Sequence, residues 1–289
     1  RKVAVNPLED IAVLQYTGGT TGTPKGAMLT HANLTANMQQ VLAWTGGLEP
    51  GRERIMGILP FFHVFAMTGV MNLGVATAAQ IIMMPRFVLN DAMKLIAATK
   101  PTIMPAVPTV LNAMLNHPKI KAFDMSSLKF VLSGGAPLPI EVKRGFESLT
   151  GCKVVEAYGL SETSPGATFN PFEGPVKSGS IGQPLPGTTV SIRAVDDPNK
   201  EMPLGQEGEI CIKGPQVMKG YWKKPEETAN VFHNGYFHTG DVGKMDEDGF
   251  IFITDRQSRF SKIAGEMVPH LKIEELLTKI LSLPEDEAP

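Results

Sequence analysis

The sequence contains only two cysteines, Cys152 and Cys211, among its 289 residues. Their neighbours are apolar, and neither has the paired spacing with Cys or His that zinc sites use. Nothing in the pattern therefore supports a disulfide framework or a zinc site, and we expect reduced thiols in a cytoplasmic protein. Excess positive charge is also missing: 27 Lys and Arg stand against 29 Asp and Glu, for a net charge of -2. That balance argues against a nucleic-acid partner.

Two further absences bear on membranes and export. The first ten residues, RKVAVNPLED, lack the apolar run of a signal peptide and do not begin with Met, so we expect a trimmed chain. Residues 55–85 contain no Asp, Glu, Lys or Arg and are long enough to span a bilayer. Pro60 and several glycines interrupt that run, which favours a buried strand, a loop carrying His63, and then a buried helix and strand. A membrane span, or contact with the inner face of a membrane, is the alternative.

The strongest positive signal is the segment YTGGTTGTPKGAMLTH at residues 16–31, called here the Gly/Thr segment. The apolar run at 11–16 predicts a short buried strand before it, and Thr30 is placed to cap a helix over 31–42. Gly and Thr offer backbone N–H groups and hydroxyls to a polyphosphate, and Lys25 adds a compact positive charge. The segment matches neither the GxxxxGK[ST] phosphate loop nor the GxGxxG dinucleotide fingerprint. A surface loop without a ligand is the alternative.

Short apolar runs alternate with helical patterns in the first part of the chain. This alternation predicts an α/β fold with a mostly parallel sheet flanked by helices. Ligands of such sheets bind beyond the carboxyl ends of the strands, where the Gly/Thr segment, SGGAPL and YGLSE are predicted to lie. The strand-like runs are 11–16, 54–60, 78–84, 101–107, 128–135 and 153–159.

The pattern changes after residue 165, where Pro and Gly become dense and short strand patterns follow. DEDG at 246–249 is a hairpin-turn signal. We therefore predict an α/β subdomain over 1–179 and a small β subdomain over 180–254. At 255–289 the pattern becomes basic and then helical.

Five further segments accompany the Gly/Thr segment, in this order: LPFFHVFAM (59–67), SGGAPL (133–138), EAYGLSET (156–163), FHTGD (237–241) and TDRQSRFSKIAGEMV (254–268). Together they resemble the adenylate-forming (AMP-binding) superfamily of acyl-CoA synthetases, beetle luciferases and peptide-synthetase adenylation domains. The resemblance covers essentially the whole chain. It implies that residues 1–179 form a nucleotide- and acyl-binding subdomain, incomplete at its amino terminus, and that residues 255–289 begin a truncated C-terminal domain. Residues 1–253 are most similar to bacterial long-chain fatty acid-CoA ligases. RFSKIAGEMVPHLKIEELL (259–277) instead resembles the acyl-carrier-protein ligase half of bifunctional lysophospholipid acyltransferases.

The resemblance implies a two-step ligase that uses ATP and Mg²⁺. A long-chain fatty acid would become an acyl-adenylate with release of pyrophosphate, and the acyl group would then pass to the thiol of CoA or of a carrier-protein pantetheine. Apolar residues of 55–85 and 101–115 would line the acyl site. The chain's fifteen methionines suit either such a lining or an ordinary core.

Other readings stay open at this point. The sequence contains no PxxxxGK segment with the late Lys of the family, so we expect weak or absent adenylation. A nucleotide-binding fragment without turnover is therefore the alternative function. A luciferase-like oxidase and a peptide-synthetase adenylation domain fit the motifs less well. The sequence does not indicate the oligomeric state.

The resemblance also implies roles for single residues around the nucleotide. Tyr158 would stack on adenine, Asp241 and Arg256 would hold the ribose, and Glu162 would bind Mg²⁺. An aromatic face suits a base, and a carboxylate oxygen suits a hard cation. The structural alternatives are a core Tyr, a solvated Glu, and an Asp that caps a turn.

Two residues would act in catalysis by the same resemblance. His63 would be a gate and orienting group near the carboxylate and α-phosphate, although a His among aromatic residues is often simply packed. Lys262 would act in the thioester-forming pose. The remaining residues with implied nucleotide contacts are Thr17, Gly18, Gly19, Thr20, Thr21, Gly22, Lys25, Gly134, Gly135, Ala136, Glu156, Gly159 and Ser161.

Overall fold

The computed structural model describes residues 4–17, 24–256, 260–263 and 266–269. Its first two strands, β1 (Ile11–Thr17) and β2 (Lys25–Thr30), pair antiparallel in a sheet of their own. The expected buried strand at 11–16 is thus one arm of a hairpin, with Leu14 and Tyr16 exposed at 38% and 59%. The Gly/Thr segment therefore contains the end of β1 and all of β2, an additional strand that the sequence did not predict before the helix.

Tertiary packing explains why β2 escaped prediction. Its residues KGAMLT include Gly and Ala, which are depleted in strands. In the fold, Ala27 and Leu29 are fully buried beside Met218 and Tyr221. This burial is a long-range contact that no local pattern shows.

Helix α1 (His31–Trp44) begins where the sequence predicted and extends two residues beyond the predicted end. Thr30 Oγ1 accepts from Asn33 N at 3.2 Å and Asn33 Oδ1 accepts from Thr30 N at 2.9 Å, a reciprocal capping box. The Asn33 amide also donates to Pro215 O at 2.7 Å and Val217 O at 2.9 Å. The helix start is thereby tied to a distant part of the chain.

A seven-stranded sheet forms the centre of the α/β region. Across the sheet the order is β4 (Gln80–Met83), β3 (Arg54–Gly57), β5 (Ile103–Ala106), β6 (Phe130–Ser133), β7 (Lys153–Gly159), β8 (Gly166–Phe169) and β9 (Gln183–Pro184). The first five strands in this order pair in parallel, whereas β8 and β9 add antiparallel partners, so the predicted mostly parallel sheet is confirmed.

Helices cover both faces of this sheet. Residues 55–85 form the predicted strand, loop, buried helix and strand. The helix there consists of α2 (Val64–Ala66), a π-helical stretch (Met67–Asn72) and α3 (Leu73–Ala76). Within the described ranges, no helix combines the length and apolarity needed to cross a bilayer. The other flanking helices are α4 (Leu89–Thr99), α5 (Pro108–Leu115) and α6 (Ile140–Thr150).

Side chains of one strand alternate between the two cores. On β3, Met56 belongs to the core under α4 to α6, and Ile55 belongs to the core under α1 and α2. Met104, Leu111 and other apolar residues of 101–115 are fully buried in the first core. These residues, expected to line an acyl site, pack as ordinary core.

The second large sheet is antiparallel. Its order is β10 (Thr189–Arg193), β11 (Gly208–Lys213), β13 (Tyr236–Met245) and β12 (Phe232–His233), and β14 (Ile251–Arg256) pairs with β13. The DEDG turn joins β13 to β14 as predicted, and Asp246 Oδ1 accepts from Phe250 N at 2.9 Å. The proposed subdomain boundaries stay a prediction. The remaining elements are α7 (Pro225–Val231) and the paired strands β15 (Phe260–Ile263) and β16 (Glu266–Pro269).

Candidate functional site

The loop after β6 carries Gly134, Gly135 and Ala136 at the carboxyl edge of the parallel sheet. A Cβ on Gly134 would lie 3.1 Å from the carbonyl oxygen of Ala157, so a side chain would press against β7. Gly135 has φ of +84°, a conformation that L side chains rarely adopt. Both Gly135 and Ala136 are exposed. The loop therefore presents open backbone beside β7, as a close-fitting ligand requires.

Glu156 and Tyr158 lie on β7, next to that loop. Glu156 Oε1 accepts from Leu138 N at 3.3 Å. Burial raises the pKa of Glu156, and this one hydrogen bond only partly opposes the rise. A half-buried carboxyl group with spare acceptor capacity thus faces the loop.

Tyr158, Asp241 and Arg256 form a direct hydrogen-bonded triad. Tyr158 Oη donates to Asp241 Oδ2 at 2.6 Å, and Arg256 Nε donates to Asp241 Oδ1 at 2.9 Å. Asp241 on β13 and Arg256 on β14 are cross-strand partners. Burial, then the charge of Asp241, raises the pKa of Tyr158 well above its usual range. Burial also raises the pKa of Asp241, against the lowering effect of the Tyr158 hydrogen bond and of Arg256.

Glu162 is buried in the short 3-10 turn Ser161–Thr163 that follows β7. Tyr221 Oη donates to Glu162 Oε1 at 2.8 Å, and the Lys25 ammonium lies 5.3 Å from the centre of the Tyr221 ring. Among the residues that the structure describes, none donates a hydrogen bond to Glu162 Oε2. A carboxylate with one oxygen held and the other available suits a hard cation such as Mg²⁺.

Tyr221 was missed by sequence reasoning. It lies in the segment GPQVMKGYWKKPEET at 214–228, where the sequence predicted no site residue. Its contact with Glu162 crosses 59 residues of sequence. Burial, together with the Glu162 charge, raises the pKa of its phenol, so the hydroxyl stays a donor.

Gly159 and Ser161 lie where β7 runs into that turn. A Cβ on Gly159 would lie 2.0 Å from the carbonyl oxygen of Pro165, closer than any real contact. The crowded backbone by itself explains why this residue is a glycine. Ser161 is half-buried at the start of the turn.

His63 precedes α2, and its Nδ1 accepts from Phe65 N at 3.2 Å. Its ring is exposed, yet the surrounding protein desolvates it enough to lower its pKa. A lowered pKa favours neutral imidazole near neutral pH. The Phe65 ring lies 3.6 Å from where a Gly134 Cβ would be, so His63 stands near the loop after β6.

The contacts link most of the expected site residues into one series. Thr17 and Lys25 are cross-strand partners in the hairpin, which packs against the turn carrying Glu162. The turn continues β7, whose Tyr158 leads on to the triad. Lys262 belongs to β15, and its side chain lies outside the described residues. So do the expected phosphate contacts Gly18, Gly19, Thr20, Thr21 and Gly22.

A second polar cluster lies inside the antiparallel sheet. Glu209, Cys211 and His238 are buried, with their potential metal-ligand atoms within 4.8 Å of one another. The sequence spacing did not reveal this group. Glu209 Oε1 accepts from Gly240 N at 2.9 Å, and Oε2 lies 2.7 Å from His238 Nδ1. Burial raises the pKa of the Cys211 thiol, which disfavours the thiolate that a metal needs. The cluster is therefore explained by hydrogen bonding.

The fold and this arrangement identify the class of protein. Residues 1–222 match the AMP-binding enzyme family, and the chain belongs to that family.

Among its curated relatives are enzymes named long-chain-fatty-acid–CoA ligase. The one from Bacillus subtilis is 47% identical over 273 residues, covering 94% of this chain and 49% of the relative. The one from Escherichia coli O6:H1 is 43% identical, covering 93% of this chain and 48% of the relative. The chain thus spans about half the length of the curated relatives it matches.

Solved structures agree with this assignment. ATP-bound MatB from Rhodopseudomonas palustris superposes with a TM-score of 0.85 at 33% identity, covering 94% of this chain and 53% of that one. A long-chain-fatty-acid-CoA ligase, FadD1, from Archaeoglobus fulgidus gives a TM-score of 0.80 at 33% identity, covering 96% and 56%.

Proposed function

We propose that this chain carries the nucleotide site of a ligase that activates a long-chain fatty acid with ATP and transfers the acyl group to a thiol. Two sets of contacts carry the proposal: Lys25 with Tyr221 and Glu162, and Tyr158 with Asp241 and Arg256. The short stretch of chain from Tyr158 to Glu162 connects them. A cation, a buried carboxylate, an aromatic ring and a charged pair are the groups that a nucleoside triphosphate requires. We infer the fatty-acid substrate from the relatives that are named long-chain-fatty-acid–CoA ligases.

Each group has a role that follows from its chemistry. The Tyr158 ring offers a face to adenine, and Glu156 offers a carboxyl group to the adenine amino group. Asp241 accepts hydrogen bonds from the ribose hydroxyls, while Arg256 keeps it oriented. Lys25 and the threonines of the Gly/Thr segment contact the phosphates. His63 stands by the acyl carboxylate.

Glu162 would hold Mg²⁺ through Oε2, while Tyr221 holds Oε1. When bound, Mg²⁺ neutralises charge on the phosphates of ATP. The chemistry of the first step is attack of the fatty carboxylate on the α-phosphorus with departure of pyrophosphate. The site contributes position and charge stabilisation to that step. In the second step the thiol of CoA, or of a carrier-protein pantetheine, displaces AMP with help from Lys262.

Pyrophosphate release tests the whole proposal. We expect weak release from ATP and Mg²⁺, only when a fatty acid is present and with a preference for long chains, and an Asp241→Ala variant should lose it. Asp248 is exposed in the turn between β13 and β14, the two strands that carry Asp241 and Arg256. Its variant Asp248→Ala is the matched control. CoA and carrier protein are then compared as acceptors.

Direct ATP titration separates binding from turnover. ATP binding without pyrophosphate release supports a nucleotide-binding chain and contradicts the ligase step. Failure to bind ATP, or equal binding by the Asp241→Ala variant, contradicts the site itself.

A further inference from the structure

Strands β11 and β13 are paired on both sides of an irregularity. Glu209 lies opposite Val242, and Cys211 lies opposite His238, so two steps along β11 match four along β13. The segment Thr239–Asp241 is therefore extruded from the ladder opposite Ile210. Gly240, at its centre, has φ of +76°. Extra residues of this kind bend a strand and re-aim its side chains.

The extruded segment carries Asp241, whose carboxylate meets Tyr158 and Arg256. In a regular antiparallel ladder, pairing alone fixes where each side chain points. Within this bulge, pairing with β11 is lost, although Asp241 keeps its partner Arg256 on β14. Other contacts must therefore hold the segment on its β11 side. The question is which groups hold the segment.

Glu209 supplies the side-chain contacts that fasten it. The carboxylate is buried, at 7% exposure. Its Oε1 accepts from Gly240 N at 2.9 Å, and its Oε2 lies 2.7 Å from His238 Nδ1, which fixes the tautomer protonated at Nδ1. One side chain thus binds the strand just before the bulge and at its centre. Thr239 adds a local bond by donating to Ile210 O at 2.7 Å.

A buried carboxylate is costly, so its presence calls for an explanation. Direct electrostatic support of Asp241 is not that explanation. Burial raises the pKa of Asp241, and the negative charge of Glu209 adds to the rise. Glu209 therefore opposes the ionised form of Asp241 while holding its backbone. Its benefit to the site is geometric.

We propose that Glu209 is a positioning residue that fastens the Thr239–Asp241 bulge, through Gly240 N–H and His238, so that Asp241 meets the ribose hydroxyls of the nucleotide. This inference rests on the proposed nucleotide-binding function. It adds a residue that does not touch the ligand and that sequence reasoning did not single out.

The test is calorimetric titration of the whole chain with ATP and with 2′,3′-dideoxy-ATP. We expect Glu209→Ala to lose ATP affinity by about tenfold or more, the scale of hydrogen bonds to a charged group, and to bind dideoxy-ATP like the parent chain. Glu209→Gln retains an acceptor for Gly240 and should stay within about threefold of the parent. Exposed Glu207, two residues earlier, gives the matched control Glu207→Ala, which should change nothing.

Amide hydrogen exchange across 236–245 without nucleotide provides an independent readout. Glu209→Ala should speed exchange at Gly240, and Glu207→Ala should not. Equal weakening of both nucleotides, unchanged ATP binding by Glu209→Ala, or an unchanged Gly240 amide would each overturn the inference. A parent chain that binds neither nucleotide overturns the proposed function instead, and the exchange result still decides whether Glu209 holds the bulge.

Discussion

The parallel and antiparallel sheets deliver their site residues in different ways. In the parallel sheet, the loop after β6 and the turn after β7 follow directly from neighbouring strands. In the antiparallel sheet, Asp241 lies in the middle of the ten-residue strand β13 and reaches the site through a bulge.

The difference teaches where each region is vulnerable. Carboxyl ends of adjacent parallel strands meet at one edge, so topology alone brings their loops together. The backbone in those loops has no space for certain side chains, and Gly134 and Gly159 meet that requirement because they have no Cβ. A residue in a bulge has lost part of the pairing that directs side chains in a regular strand, and buried polar groups such as Glu209 supply added contacts. The four predictions below test this contrast.

The largest effect is expected at the crowded backbone of the parallel region. Gly159→Ala places a methyl group 2.0 Å from Pro165 O, and the strand must move. We expect a loss of about 3 kcal/mol or more in the free energy of unfolding, measured by urea denaturation. Gly69→Ala is the control, because its new methyl would find its nearest atom at an ordinary 3.7 Å. Similar midpoints for the two variants would show that room at Gly159 is unimportant.

Tyr221 links the hairpin to the parallel region, and Tyr221→Phe tests that link. Loss of the hydroxyl leaves buried Glu162 without its donor, at a cost of about 1–3 kcal/mol in stability. The ring still faces Lys25. We expect weaker dependence of ATP affinity on Mg²⁺ in titrations, since Glu162 is less well oriented. Tyr236→Phe, in the antiparallel sheet, should leave both quantities unchanged, and a matching loss there would refute the assignment.

The pH dependence of ribose recognition sharpens the antiparallel side. Because burial raises the pKa of Asp241, this carboxylate takes up a proton at a higher pH than an ordinary Asp. The preference for ATP over dideoxy-ATP should therefore fade as pH is lowered, beginning above the usual Asp range near about 3.9. Stability responds with the opposite sign: a raised folded-state pKa means that this group's contribution falls as pH rises through that interval. Asp241→Asn should show a small preference that does not vary with pH, and a preference that varies as in the parent would exclude Asp241 as its source.

The smallest effect concerns the two thiols, one in each region. Burial raises the pKa of Cys152 and that of Cys211, so little thiolate forms near neutral pH. We expect both to resist iodoacetamide in the folded chain and to react in denaturant, as measured by mass spectrometry. Rapid labelling of folded Cys211 would contradict the closed hydrogen-bonded cluster around Glu209.

The sequence predicted more of the parallel region than of the rest. Strands β3 to β7 and the Thr30 cap were predicted because local apolar runs and a capping residue are enough to indicate them. The hairpin was missed because β2 owes its burial to distant partners. The methionines of the core were open to two interpretations, since packing and lining use the same residue.

The candidate site shows the same division. Motifs marked Tyr158, Glu162 and Asp241, but Tyr221 and Glu209 act through contacts across 59 and 31 residues of sequence. A long-range hydrogen bond leaves no periodic trace in the chain.

By itself, the order of amino acids determined an α/β protein of the AMP-binding family, because strand periodicity and glycine-bearing motifs are local properties. Tertiary structure alone decided that β2 pairs with β1, that Tyr221 supports Glu162, and that a bulge aims Asp241. Each of these depends on groups far apart in the chain, which come within hydrogen-bonding distance only after the sheets have packed.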